Sequence, residues 1–355
     1  MLAGEIDVVV IGAGPAGLGC AAELARLGYA VVVFEKQERA GGLNTHGIAY
    51  YKMKPEVSLA EVELVGSLGV EIRCGVEVGR DVPAARLRRE FDAVFVGVGL
   101  GGGNRLGIPG EDLPEVIDAL SFICAIHTQP PAQVPVGRRV AVIGCGNTAI
   151  DAVTQSIRLG AERAVVIYRR GEADMKAYRF EYELAQNDGA HFYFHTVPVE
   201  VVSEGGHVVG LKLARARPAS GRNVEPIPGS EYFEKCDMVL KAVGEEKQTA
   251  LLRRLFPELA LDGRGAVAHD EITGATNLRG IFCGGDCANG GREVVNAVGE
   301  GKKAARGIHA HLAKERIDGP VQPSRLGAPG GAAGSGLRRP IRTHELEAAL
   351  KRGDR

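Results

Sequence analysis

Two hydrophobic rhythms alternate along this chain. Short β-branched runs give way to longer stretches whose apolar residues recur at helical spacing. The first run, Asp7 to Ile11, is broken by Gly12-Ala13-Gly14-Pro15-Ala16-Gly17, and Leu18 to Leu27 then carries the helical period until Gly28 stops it. A second run, Ala30 to Phe34, ends at Glu35. Leu59 to Leu68 has a helical period, Val70 to Val78 has β character, and Phe91 to Val98 is an apolar strand running into Gly97-Val98-Gly99-Leu100-Gly101. Asn104 to Val136, rich in Gly and Pro at both ends, reads as a crossing into a second domain. There the rhythm restarts, with a strand at Val140 to Ile143, a helix at Ile150 to Leu159 and a strand at Ala164 to Tyr168. Phe192 to Val202 and His207 to Ala214 form a predicted hairpin on Gly205-Gly206, and Met238 to Val243 is a strand ending at Gly244. Leu278 to Phe282 is the last strand, after which Val294, Val295, Val298, Ala304, Ile308 and Leu312 fit the buried stripe of a helix. Strands alternating with helices predict an α/β fold.

The opening stretch is more specific than its class. Strand, Gly-rich turn, helix, strand and acid, with Glu35 about twenty residues past the first glycine, form the dinucleotide fingerprint. Gly12 permits the tight turn, Gly14 lets backbone amides approach a pyrophosphate, and Gly17 lets the helix lie close to the strand. Pro15 and Ala16 complete the turn, and Glu35 is placed to accept hydrogen bonds from a ribose. Arg39-Ala40-Gly41-Gly42-Leu43 follows at once, either a plain turn or paired glycines that let the backbone pass close to a bulky ligand. A second fingerprint, Gly144-Cys145-Gly146-Asn147-Thr148-Ala149, opens the second domain. Its strand ends not in an acid but in Arg169 and Arg170, followed by Lys176. Guanidinium groups suit a ribose 2'-phosphate where an acid suits a 2'-hydroxyl, which favours NADPH over NADH, although a solvated basic turn has the same composition.

Composition narrows the class. The 355 residues suffice for two domains, and 43 basic against 44 acidic residues, a net charge of -1, recommend neither a nucleic-acid nor a membrane partner. The start, MLAGEID, is acidic where a secretory leader is basic, so the seven cysteines read as reduced thiols of a cytoplasmic protein. No CxxC occurs, so neither a zinc ribbon nor a four-cysteine iron-sulfur cluster is expected from local sequence. Fifty glycines, against an average usage of roughly 7%, point to several phosphate-cradling turns and to a loose tail. The tail, Gly319 to Gly336, is Pro, Gly, Ala and Ser, and Thr343 to Lys351 reads as a marginal helix.

Two nucleotide sites in one chain have a direct chemical reading, FAD in one and a nicotinamide nucleotide in the other. Cys283-Gly284-Gly285-Asp286 ends the last strand, and Asp286 is placed to anchor the ribityl chain of FAD. The helix beginning near Val294 points its positive end at the flavin pyrimidine. Hydride transfer needs close stacking and exclusion of water, so no catalytic residue and no metal are assigned. The expected fold is two Rossmann-like dinucleotide-binding domains of the glutathione-reductase kind, with the NAD(P)H domain, 110–242, inserted into an FAD domain of 1–109 and 243–315, and a tail over 316–355.

The motifs GGLNTHGIAYYKMKPEVSLAEVELVGSLGVEIRCGVEVG, GCGNTAIDAV, VIYRRGEADMKAY, KAVG and GIFCGGDCANGGREVVNAVGEGKKAA keep their order to about His311. They resemble the FAD- and NAD(P)H-binding portion shared by dihydropyrimidine dehydrogenases and the small subunit of glutamate synthase. The resemblance implies that Arg169, Arg170 and Lys176 bind the 2'-phosphate, that Thr148 and Ala149 bind the pyrophosphate, and that Ala242 to Gly244 adjoin the nicotinamide; Gly144, Gly146 and Asn147 of the second fingerprint are counted among the nucleotide-binding positions. Arg39, Gly42, Leu43, Val78, Gly99 and Gly285 join the FAD positions. YRRGEADMKA lies closer to the dihydropyrimidine dehydrogenase branch, since the glutamate synthase branch usually has Met-Pro there. Both relatives place a cysteine-rich, cluster-bearing segment before the fingerprint, which here starts at Asp7. The expectation is therefore an electron-input subunit that takes hydride from NADPH, or NADH, onto FAD and serves a partner carrying FMN, iron-sulfur clusters and the pyrimidine site. A glutamate synthase type of donor, a thioredoxin-reductase-like disulfide reductase and a non-enzymatic flavin-binding assembly subunit are the alternatives.

Overall fold

The computed structural model describes residues 7–219 and 223–314, so the linker and helix expected in the tail lie outside the described residues. Residues 7–45, 53–101 and 247–314 form one compact unit, and 46–52 with 102–246 form a second. These limits fall eight residues before 109/110 and four after 242/243, because 102–104 pair with 244–246. Gly103 bridges Glu245, Asn104 N–H donates to Gly244 O at 2.8 Å, and Glu246 N–H donates to Gly102 O at 2.8 Å. The stretch 46–52 belongs to the second unit because Lys52 Nζ pairs there with Asp151 Oδ1 at 2.7 Å and Glu181 Oε2 at 2.8 Å, and Tyr51 OH donates to Asp151 Oδ1 at 2.8 Å.

In the first unit five parallel strands lie in the order Ile281–Cys283, Ala93–Val96, Asp7–Ile11, Ala30–Phe34, Glu71–Arg73. The chain leaves the central strand to one side and returns on the other, and that reversal opens a crevice at the carboxyl ends of Asp7–Ile11 and Ala93–Val96. Both faces of the sheet are covered, which is why its first strand runs apolar without alternation from Val8 to Ile11. Val8 and Val10 cluster with Ala21 and Leu24 of the helix Pro15–Arg26 and with Ile308 of the helix Val294–Ala313, while Val9 and Ile11 join Leu87, Leu252 and Phe256. The first helix begins at Pro15, three residues before the apolar period does, since proline at the first helical position gives up an N–H that would be unpaired anyway.

The second unit repeats the plan with Val116–Asp118, Met238–Lys241, Arg139–Ile143, Arg163–Ile167, His191–Tyr193, all parallel. Val140 and Val142 pack with Phe122, Ile150, Val153 and Tyr182. On the opposite face Ala141, Ile143, Val165 and Ile167 pack with Val201, Leu211 and Leu213 of an antiparallel sheet built on Thr196–Glu204 and His207–Pro218.

Several elements depart from the sequence pattern. Asn104 to Val136 is not only a crossing: it holds the strand Val116–Asp118 and the helix Ala119–Thr128, capped by Asp118 Oδ1 accepting Ser121 N–H at 3.0 Å. The helices Arg179–Asn187 and Thr249–Leu255 were not foreseen. The strand expected over Phe192 to Val202 breaks at His195, whose φ is +51°. In the helix Val294–Ala313 the expected stripe holds at Ala304 and Ile308, both fully buried, but Val294 and Val295 are 37% and 74% exposed, and apart from Ile308 the buried face is alanine and glycine. Ala297, Gly301, Ala304 and Ala305 let it lie against Pro15–Arg26, with Gly301 directly over the Ala16 carbonyl. Among the described residues no helix is long and apolar enough to cross a membrane.

A methyl group at position 301 overlaps Ala16 O and comes within 3.0 Å of Cys20 N, both backbone atoms. Gly301→Ala should therefore destabilise the first unit by about 2 kcal/mol or more, read as a lower urea midpoint; an unchanged midpoint refutes the tight crossing.

Candidate functional site

In the first unit the crevice is made of glycines and backbone. Gly12 has φ +99°, and a Cβ on it would lie 2.5 Å from Gly97 O, so the two strand ends meet only because residue 12 is glycine. A Cβ on Gly17 would overlap Gly12 O. Gly14 differs, because its nearest neighbour would be Gly42 Cα at 3.9 Å. The protein itself requires Gly12 and Gly17, whereas the open side of Gly14 leaves backbone accessible to a ligand. Gly14 also precedes the helix Pro15–Arg26 without any side-chain cap, so the positive helix end is exposed at this point.

The remaining first-unit candidates gather around that turn. Gly41 N–H donates to Ala13 O at 2.8 Å, and a Cβ on Gly42 would lie 2.7 Å from Gly14 Cα. Glu35 is buried, its Oε2 accepting Ala13 N–H and its Oε1 accepting Gln37 N–H, each at 2.8 Å. Each carboxylate oxygen keeps a second acceptor site, so Glu35 can tie the glycine turn to its strand and still receive ribose hydroxyls. Arg39 and Leu43 are exposed beside it. Gly99 has φ +66° in a loop that Gln248 Nε2 holds by donating to Val98 O at 2.8 Å and Leu100 O at 3.1 Å. Val78 stands apart: its side chain is core, among Val9, Ile11 and Phe34, leaving only backbone for a ligand.

The late Gly-Gly-Asp turn arrives at the same place. Gly285, at φ +76°, would carry a Cβ 2.7 Å from Ala16 Cβ. Asp286 is half-buried and its Oδ1 accepts Arg292 N–H at 3.2 Å. Glu300, from the long helix, holds both ends of the turn, with Oε2 accepting Gly285 N–H at 2.8 Å and the carboxylate receiving Asn289 Nδ2 at 2.9 and 3.1 Å. Neither Glu300 nor Asn289 stands out in the sequence. Val294 is the first residue of that helix and 37% exposed. An accessible backbone turn, an uncapped helix end and two carboxylates fit the diphosphate and hydroxyls of a dinucleotide.

The second unit repeats the strand-end contact. Gly144 has φ +122°, and a Cβ on it would overlap Ala242 O, while Gly146 has open space around it. The helix Asn147–Arg158 starts there without a side-chain cap, with Thr148 half-buried and Ala149 wholly buried. Asn147 Oδ1 accepts Tyr178 N–H at 3.1 Å and Cys145 O accepts Lys176 N–H at 3.3 Å, so the basic segment is tied to the glycine turn. Gly244, at φ +89°, lies beside Asn104. Arg169, Arg170 and Lys176 line one cavity of about 390 Å³ with Gly171, Asp174 and His195, and none of the three makes an ion pair with a described residue. Arg170 Nε is buried without a hydrogen-bond partner among the described residues. Sequence reasoning missed His195, which the broken strand delivers from nineteen residues beyond Lys176.

All seven cysteines are free. Burial pushes the thiols of Cys145 and Cys287 up to about 12, and that of Cys283 well above its ordinary range. The thiolate is the reactive form, so Cys283 and Cys287 lack the chemistry of a redox pair. Among the described residues no His, Cys, Asp and Glu group could hold a metal ion.

The sequence profile described as "Pyridine nucleotide-disulphide oxidoreductase" matches residues 6–301. The chain is 36% identical over 312 residues to the NADP(+)-dependent formate dehydrogenase subunit beta of Moorella thermoacetica, covering 86% of this chain and 44% of that one. It is 40% identical over 322 residues to the glutamate synthase [NADPH] small chain of Halomonas elongata, covering 86% and 68%. This chain thus spans less than half of the first relative and about two thirds of the second. Mycobacterium tuberculosis FprA in complex with NADPH shares the fold, with a TM-score of 0.72, 21% identity, and coverage of 87% of this chain and 85% of that one.

Burial holds the Asp286 carboxyl above its ordinary range, and Glu300 adds to the rise, against the Arg292 N–H and Lys247. A carboxyl raised on folding favours the folded state below its unfolded pKa, and that advantage is lost as pH climbs through the folded value. At neutral pH the ionised side chain therefore costs stability. Asp286→Asn should melt at or above the wild-type temperature at pH 7 when free of FAD, with the difference gone below about pH 4, yet bind FAD more weakly.

Proposed function

The chain belongs to the pyridine nucleotide-disulphide oxidoreductase family and is an FAD-dependent NAD(P)H oxidoreductase, and we propose that it is the electron-input component of a larger enzyme. NADPH is its reductant, and a separate chain is its electron acceptor. The observation that carries this reading is the cavity of Arg169, Arg170 and Lys176, three cations without carboxylate partners at the end of the strand Arg163–Ile167. The corresponding strand of the first unit ends in the buried acid Glu35. One unit is thereby suited to a plain ribose and the other to a phosphorylated one.

FAD, when bound, supplies a carrier that accepts a hydride and releases its electrons to an acceptor of different chemistry. The residues bind and orient. Gly14, Pro15, Ala16 and Gly42 surround the diphosphate position, Glu35 receives the ribose, and Asp286, held by the Glu300-bound turn, receives the ribityl hydroxyls. Gly146, Asn147 and Thr148 serve the second diphosphate, with Ala242 and Gly244 beside the nicotinamide. No side chain needs to move a proton, so none is assigned as an acid or base.

For the acceptor we favour the FMN and iron-sulfur subunit of a dihydropyrimidine dehydrogenase, on the strength of the YRRGEADMKA stretch. The 40% identity to a glutamate synthase small chain supports a second reading, a donor to an amidotransferase subunit. The buried thiols of Cys145, Cys283 and Cys287, which burial holds protonated, argue against disulfide reduction. Co-purification of the native partner, followed by assay with NADPH and either uracil or 2-oxoglutarate with glutamine, separates the two. Failure of NADPH to bleach the flavin under anaerobic conditions would eliminate both. Arg169→Ala combined with Arg170→Ala should raise KM for NADPH about tenfold or more and that for NADH about twofold at most; equal effects would sink the 2'-phosphate assignment.

A further inference from the structure

We propose that His195 is a specificity-determining residue for the 2'-phosphorylated nucleotide, a fourth donor closing the cavity of Arg169, Arg170 and Lys176. This inference rests on the NADPH reading of that cavity.

The position of His195 is fixed by backbone on two sides. Its N–H donates to Arg170 O at 3.0 Å, and its O accepts Ala216 N–H at 2.7 Å. The residue sits between the strands His191–Tyr193 and Thr196–Glu204 with φ +51°, one of two non-glycine residues among those described with a left-handed backbone. Left-handed backbone is uncommon away from glycine, and histidine is among the residues that tolerate it. The consequence is directional. A residue with ordinary strand geometry would continue the strand, whereas this one turns into the loop that follows Arg170.

The ring lies against glycine. A Cβ on Gly171 would come within 3.1 Å of both His195 Cε1 and Nε2, so the absence of a side chain at 171 is what admits the imidazole beside the two arginines. The ring has no hydrogen-bond partner among the described residues, although it lines a polar cavity. The same cavity wall carries Arg170, whose guanidinium lies 5.5 Å from the Tyr168 ring centroid and whose Nε is unpartnered. Asp174 is the one carboxylate on the wall, and its Oδ2 is already engaged by Gly171 N–H at 3.3 Å. A dianionic phosphate offers acceptors to all of these donors. A bare 2'-hydroxyl cannot match four of them.

Glycine at position 195 keeps the backbone conformation and both backbone hydrogen bonds while removing the ring. The test is calorimetric binding of adenosine 2',5'-bisphosphate and of 5'-AMP to the FAD-loaded wild type, to His195→Gly and to the Arg169→Ala, Arg170→Ala pair, with thermal midpoints as a check on folding. His195→Gly should weaken 2',5'-bisphosphate binding by about fivefold to tenfold with 5'-AMP unchanged, and should lower the preference for NADPH over NADH by the same factor. Unchanged bisphosphate affinity in His195→Gly, with loss in the arginine pair, overturns the role of His195 and leaves the cavity reading standing. Equal weakening of 5'-AMP also overturns it, since the ring would then serve the adenosine. Loss in neither variant, or no binding to the wild type, removes the cavity reading together with this inference.

Discussion

A carbonyl oxygen pressed against a glycine at the end of the central strand governs each unit of this protein. In the first unit the contact is Gly97 O on Gly12, and in the second it is Ala242 O on Gly144. Both glycines have positive φ, and a side chain at either position would force the neighbouring strand away. With the strands held this close, the turn that follows must rise out of the sheet, and the helix after it begins with its amides facing the crevice. The binding chemistry is thus a by-product of a packing constraint. Gly14 and Gly146, whose surroundings are open, mark the side on which that chemistry becomes available.

Charge then separates two otherwise similar crevices. The strand Ala30–Phe34 is followed by Glu35, which is buried and bound by two backbone N–H groups. The strand Arg163–Ile167 is followed, after Tyr168, by two arginines that form no ion pair with a described carboxylate. A carboxylate accepts hydroxyl hydrogens and repels phosphate, and guanidinium does the reverse. The shared backbone plan makes the contrast informative, because the charge differs while the scaffold does not.

Much of this was legible in the sequence because it is local. The fingerprint glycines, Glu35, the paired arginines and the Gly-Gly-Asp turn are all read from spacing within some thirty residues, and the structure sets each at a strand end. What escaped is non-local or small. Glu300 reaches the Gly285 turn from fifteen residues away, on a helix whose buried face is mostly alanine and glycine, so neither its charge nor its neighbours announced a role. His195 interrupts an apolar run that reads as one continuous strand, and only a backbone angle reveals the break. The helix Ala119–Thr128 was hidden because the Gly and Pro on either side of it dominate the composition of the segment.

The stretch 46–52 has a practical consequence for anyone wishing to isolate the second unit. Cutting the chain at 102 and 246 looks natural in a linear diagram, yet the fragment would leave Lys52 behind. Asp151 and Glu181, each almost fully buried, would then face each other's helices with no cation between them. Stranding a buried charge in this way costs about 3–5 kcal/mol, a large share of what a domain of this size has to spare. A soluble excised fragment therefore needs either its seven-residue partner supplied by circular rearrangement of the chain, or neutral amides at 151 and 181.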